Sequence, residues 1–217
     1  MAREQYLYLA KRINIPGTDR KDIFEINRKN DNETEITVHH IKKDDSKGKL
    51  IYRRTIKTDE THEIVCYGLD EEDRFEVSGE VNKGPIIRIV GGQDKDVVVN
   101  NSKVSGIRTK TLVYDLKKST QIEGSGKTNA KLTNNKIIHE YNRKYFKRDV
   151  GMPLASGGYN ADDGIYLGYG RSWYKQRFRR DTKTSLLGEY SIANTSLNIN
   201  AQYESLSTNN GLDAIFG

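Results

Sequence analysis

One short pattern recurs three times in this chain and limits what it can fold into. It reads GTDRKDIFEI from Gly17, GLDEEDRFEV from Gly68 and GGQDKDVVVN from Gly91. Each copy is a glycine, an acidic turn, an aspartate five residues after the glycine, and then a strand. Asp22, Asp73 and Asp96 hold that fifth place, and Phe24, Phe75 and Val98 open an apolar face two residues later. The glycine permits positive φ, and the aspartate can accept hydrogen bonds from turn amides. Alternation then sends Phe75 and Val77 to one side of the strand and Arg74 and Glu76 to the other. Ile26 repeats that register after Phe24, whereas Asn100 breaks it in the third copy.

Two readings compete for the pattern. One is a tight turn feeding a half-buried strand. The other is calcium: the third copy is close to the repeat G-G-x-G-x-D-x-U-x, with Asp94 where the third glycine would sit. Asp70, Asp73, Asp94 and Asp96 would supply the oxygens that a hard cation takes. Such sites need tandem copies that close around the ion. Here the copies lie far apart, so the structural turn is favoured, no cofactor is expected, and calcium stays as the alternative.

The 217 residues allow one or two domains, and with 30% charged and 35% hydrophobic residues any core is modest. Three prolines and thirteen tyrosines point to β structure rather than disorder. Cys66, the single cysteine, lies in the apolar run EIVCY and reads as a small buried hydrophobe. MAREQYLYLAKR lacks the apolar stretch of a signal peptide, and no run reaches transmembrane-helix length. The net charge of +6 is local: Arg171, Lys175, Arg177, Arg179, Arg180 and Lys183 stand against Asp181 alone. The N-terminal part is near neutral, which argues against a general nucleic-acid coat, and no nucleic-acid partner is expected.

Tyr6, Leu9, Ala10 and Ile13 have helical spacing within 3–13. Strands are expected at 22–27, 33–41, 49–57, 62–67, 73–78, 85–90, 96–100 and 110–115, separated by charged and glycine-bearing turns. The class is therefore all-β, with a β-sandwich or β-roll as the N-terminal architecture over 1–115. Residues 116–157 read as linker and turn region: KKSTQIEGSGKTNAKLTNN is polar, 136–147 offers a short helix through Ile137, Ile138, Tyr141 and Tyr145, and VGMPLASGGYNADDG is glycine-rich. Residues 158–206 hold long antiparallel amphipathic strands, and 207–217 is a tail. In the last of these strands Leu197, Ile199, Ala201 and Tyr203 face one way, and Asn198, Asn200 and Gln202 the other. That dyad fits an outer-membrane barrel strand, and equally an ordinary antiparallel sheet with one wet face.

Several motifs fall short. GSGKT at 124–128 resembles the end of a P-loop, but Gln121 stands where that motif needs glycine and no buried strand precedes it. His39 and His40 are adjacent on a strand and point to opposite faces. No nucleophile or metal motif marks an active site, so no enzymatic activity is expected. GRSWYKQRFRRDTK interleaves Trp173, Tyr174 and Phe178 with Arg177, Arg179 and Arg180. The patch suits base stacking and phosphate binding, or a barrel loop at a membrane interface; the flanking strands favour the second.

The segments YLYLAKRINIPGTDRKDIFEI, LIYRRTI, CYGLDEEDRFEVSG, RIVGGQDKD and KTLVYD, followed by GYNADDGIYLGYG and RFRRD, resemble large outer-membrane proteins of the BamA/TamA surface-antigen superfamily from Bacteroidetes-type bacteria. The resemblance implies a periplasmic β segment leading into a barrel, often downstream of a calcineurin-like metallophosphoesterase domain. The G-D-x-H and G-N-H-D motifs of that phosphoesterase are absent here. Only about three barrel strands are present, against the eight or more of a closed barrel. The resemblance thus implies a non-enzymatic internal piece or truncated frame that couples a periplasmic domain to a barrel in the outer membrane. Lipid and the rest of the barrel would be its partners, with Leu197, Ile199, Ala201 and Tyr203 facing the membrane. The alternatives are a soluble calcium-dependent binding module and the non-catalytic part of a metallophosphoesterase.

Overall fold

The computed structural model describes the whole chain except residues 1, 118–119, 135–138, 144–148, 162–163, 179, 208–213 and 217. It divides into two compact units, 1–141 and 142–217.

In the first unit a short helix, α1 (Ala2–Ala10), leads into β1 (Arg12–Pro16) and β2 (Asp22–Asn30). A hairpin of β3 (Glu33–Ile41) and β4 (Lys47–Lys57) follows. The remaining strands are β5 (Glu63–Tyr67), β6 (Arg74–Ser78), β7 (Glu80–Val81), β8 (Ile86–Val90), β9 (Val97–Asn100), β10 (Lys103–Val104), β11 (Thr111–Asp115), β12 (Gln121–Glu123) and β13 (Thr128–Leu132). They form a stack of coils. One sheet runs β1-β5-β8-β11-β13, parallel throughout. The facing sheet runs β12-β9-β6-β2, also parallel, and the β3–β4 hairpin extends it antiparallel. β7 and β10 pair at a further corner.

The register shows the repeat. Ile64 lies beside Ile87, and Phe75 beside Val98, a step of 23 residues in both sheets. Ile13 lies beside Ile64, and Phe24 beside Phe75, a step of 51, because the hairpin is inserted into the first coil. Every second residue points between the sheets, so Ile15, Ile64, Cys66, Ile87, Ile89 and Val113 meet Phe24, Ile26, Phe75, Val77 and Val98 in one core. Phe24 and Phe75 stack with ring centroids 4.7 Å apart. The other face of the first sheet is covered too: Val65 and Val90 are fully buried, and Tyr67 packs against Tyr141 at 4.8 Å. Parallel strands buried on both faces account for the continuous apolar run EIVCY. Burial also pushes the Cys66 thiol up to about 12.

The second unit is an antiparallel meander, β14 (Val150–Asn160), β15 (Gly164–Arg177), β16 (Arg180–Ser191), β17 (Ser196–Ser207) and β18 (Ala214–Phe216), paired in that order.

The all-β class stands, but the sandwich or β-roll leading into a barrel does not. The sheets of the first unit are mainly parallel, and every sheet among the described residues is open-ended. The reason is local: the glycine–aspartate turns carry the chain from one sheet to the other instead of closing hairpins, so each strand pairs with its counterpart one coil on. The stretch read as linker contains β12 and β13, which pair with β9 and β11. The helix expected over 136–147 falls largely outside the described residues.

Candidate functional site

The three copies of the glycine–aspartate pattern form one corner of three successive coils. Gly17, Gly68 and Gly91 stand in a column, and their amides donate to Tyr67 O, Val90 O and Tyr114 O at 2.8, 2.9 and 3.0 Å. The aspartates form a second column. The Asp22 amide donates to Asp73 Oδ1 at 2.8 Å, and the Asp73 amide to Asp96 Oδ1 at 2.9 Å. A second oxygen is turned back into the aspartate's own turn: Asp22 Oδ2 accepts from the Thr18 amide and hydroxyl at 2.7 and 2.9 Å, and Asp96 Oδ2 from the Gly92 amide at 2.9 Å. Asp73 Oδ2 is buried without a partner.

The glycines serve space rather than φ. None of the three has positive φ; within these turns that conformation falls on Leu69 (φ 88°) and Glu71 (φ 69°). A Cβ on Gly68 would lie 2.4 Å from Asp73 Oδ2, and one on Gly91 would lie 2.4 Å from Asp96 Oδ2.

The fourth coil changes the rule. Tyr114 pairs with Val90, so Asp115 takes the glycine's place, and Thr120 takes the aspartate's. The Asp115 carboxyl fills the space above Gly91, where an added Cβ would lie 2.4 Å from its Cγ. Its Oδ1 accepts the Leu116 amide at 2.7 Å, and its Oδ2 is buried without a partner. At the other end of the column His40 Nδ1 lies 2.8 Å from Asp22 Oδ1. Burial pushes Asp73 up to about 9, aided by the charges of Asp96 and Asp22. Burial also raises Asp96 and Asp115, and the Asp115 charge raises Asp96 further.

This geometry corrects the calcium alternative. Asp73 and Asp96 are buried in the column, while Asp70 and Asp94 are exposed in the turns outside it. Asp94 Oδ2 accepts the Glu71 amide at 3.0 Å. Asp96 spends both its oxygens on turn amides, and among the described residues no group of three or more His, Cys, Asp or Glu could hold a metal ion. The calcium-dependent module is therefore withdrawn. Sequence reasoning found Asp22, Asp73 and Asp96 but judged the copies too distant to meet. It missed His40 and Asp115. The available signal was the step of 23 residues from Gly68 to Gly91, which is one coil.

The meander holds the second set of expected residues. Its register places Tyr159, Ile165, Leu167, Tyr169, Leu186, Tyr190, Leu197, Ile199, Ala201 and Tyr203 on one face. All are exposed; Tyr169 is 74% and Ile199 68% accessible. The opposite face is polar and better covered: Ser156 Oγ donates to Glu189 Oε1 at 2.7 Å, Lys183 pairs with Glu204 at 3.3 Å, and Ser172, Asp181 and Ser191 are buried. Glycines let side chains lie flat there; a Cβ on Gly158 would sit 2.6 Å from the Tyr166 hydroxyl. On β14 to β16 the polar face is thus the better covered one and the apolar face is bare, while on β17 Asn198, Asn200 and Gln202 of the polar face are exposed as well. Trp173 lies on the apolar face beside Thr184, and Tyr174 on the polar face beside Lys183. Arg171 sits 6.0 Å over the Trp173 ring. Register pairs Arg177 with Arg180 across the turn that holds Phe178; Arg179 lies outside the described residues.

Among the described residues no helix is long and apolar enough to cross a membrane. Comparison with protein-family models, with curated proteins and with solved structures finds no match for this chain. With no match, and with open, largely parallel sheets in the first unit, the resemblance to the BamA/TamA superfamily is corrected. The outer-membrane barrel, its lipid and barrel partners, the periplasmic location and the phosphoesterase connection are withdrawn with it.

Proposed function

We propose that the chain is a non-enzymatic binding protein, in which the meander docks another polypeptide against its apolar face. The observation that carries this reading is the exposure of ten residues, from Tyr159 to Tyr203, on one face of four consecutive strands. A contiguous apolar patch of this kind marks an interaction surface. Charge selects the partner. Beyond the apolar rows the same face carries exposed Arg171 and Lys175, and none of its register positions from 151 to 205 is a carboxylate. Two copies packed face to face would bring basic groups together with nothing to neutralise them. The face is therefore complementary to a polypeptide with an apolar centre and an acidic rim.

The test uses the full chain with a photo-crosslinking side chain at 199 or, as a control on the opposite face, at 198, in its native cells. The expected result is a discrete protein adduct from 199 and none from 198, lost in the double variant Arg171→Glu, Lys175→Glu. Three outcomes overturn the reading: a discrete homodimer in sedimentation velocity that Ile199→Glu dissolves, flotation of the purified chain with phosphatidylcholine vesicles, or an adduct indifferent to the charge reversal.

A further inference from the structure

We infer that the fourth coil is latched onto the third by a proton shared between Asp96 and Asp115, so that this end of the stack holds in acid and loosens as pH rises. Both residues are fully buried, on adjoining coils, and their carboxyl groups meet beside Gly91: Asp96 Oδ2, Asp115 Cγ and Asp115 Oδ1 all lie within 2.5 Å of the point where a Cβ on that glycine would stand, and Asp115 Oδ2 is buried without a donor. An ionised carboxylate only accepts hydrogen bonds, so two carboxyl groups can bond to each other only while one holds a proton. Asp115 occupies the space that Gly91 keeps open, and the remaining contacts are donors fixed in place: the Gly92 and Asp73 amides on Asp96, and the Leu116 amide on Asp115.

The titratable groups facing the pair are Asp73, one coil back, then Asp22, with His40 at the far end of the column. Removing the shared proton places two anions in contact in a buried corner, beside a third carboxyl. The sign follows. The folded-state values are raised above the ordinary 3.8, so the contribution to stability is whole below 3.8 and is lost as pH climbs through the raised values. Two backbone bonds join the coils at this corner, Gly91 N–H to Tyr114 O and Gln121 N–H to Asp96 O, and these report the latch.

The experiment is amide hydrogen exchange on the full chain between pH 5 and 8, expressed as protection after correction for intrinsic rates. Protection of the Gly91 and Gln121 amides should fall roughly tenfold or more over this range. The Asn101 amide, bonded to Val77 O between the second and third coils, should hold its protection. In Asp115→Asn the side-chain amide donates to Asp96 without needing a proton, so the pH dependence should vanish; Asp115→Ala, which removes one carboxyl of the pair and leaves the amides on Asp96 in place, gives the same answer should the first variant fail to fold. A flat wild-type profile, or pH dependence that survives in a folded Asn variant, overturns the inference.

Discussion

Gly91 shows how one missing Cβ organises the corner of the stack. It is surrounded by Asp115 Cγ and Asp96 Oδ2 at 2.4 Å and Asp115 Oδ1 at 2.5 Å from where a Cβ would stand. Both neighbours are fully buried, Asp115 at the end of β11 and Asp96 just before β9, so they cannot swing aside as an exposed side chain would. Gly91→Ala should therefore cost about 1–3 kcal/mol, the usual range for overpacking a filled interior. Gly106 is the control, because its φ of +103° strains any substitution but nothing lies within 4 Å of an added Cβ. Urea denaturation of the two alanine variants separates space from backbone conformation; Gly91→Ala no worse than Gly106→Ala would refute the packing argument. The sequence displayed the glycine–aspartate pattern openly, yet gave its glycines the wrong task, since letters alone do not distinguish a glycine chosen for φ from one chosen for room. Asp115 was invisible for a related reason: it replaces the glycine, so its turn no longer matches the pattern.

Strand positions were readable from alternation, but their partners were not. A period of two is the same in parallel and antiparallel sheets, so PIIRIV or KTLVYD announces a strand without saying which neighbour it joins. The hairpin β3–β4 hid the answer further by stretching the first step from 23 to 51 residues. Arg28 did carry a signal. It continues the inward phase of Phe24 and Ile26 on β2, and it is 1% accessible. Its guanidinium donates from Nη1 to Pro85 O at 2.9 Å and from Nη2 to Lys110 O at 3.4 Å, tying the entries of β8 and β11 together. Gly84 leaves room for it, with Nη1 2.9 Å from where a Cβ would be. Burial lowers the guanidinium to about 10, which still leaves it charged at neutral pH. Arg28→Met keeps the stem and strands the two carbonyls, for a cost of about 1–3 kcal/mol. Arg28→Ala adds a cavity and should cost more, as large-to-small changes in cores do. Equal stability of the Met variant and the wild type in urea denaturation would show that the carbonyls do not need the strut.

Taken whole, the chain keeps its apolar residues in two different ways, and only one of them makes a core. The amphipathic dyad of 196–204 was plain in the sequence, but alternation alone does not say what faces its apolar half. Every buried hydrophobic side chain among the described residues lies between Ala10 and Tyr114, inside the first unit. The Tyr67–Tyr141 contact that covers the outer face of the first sheet falls within the same unit. Among the described residues of 142–217 the buried ones are Ser172, Asp181 and Ser191, all polar. Burial of apolar surface is the main favourable term in folding, so the two units should differ sharply when separated. A fragment of residues 1–141 should melt cooperatively, within a few degrees of the main transition of the full chain. A fragment of residues 142–217, with ladders of hydrogen bonds but no buried apolar side chain among its described residues, should show no cooperative transition by circular dichroism or calorimetry. A sharp transition in 142–217 alone would mean that the meander buries its apolar face on itself. Failure of 1–141 to fold, with the full chain folding normally, would mean that the coil stack depends on the meander.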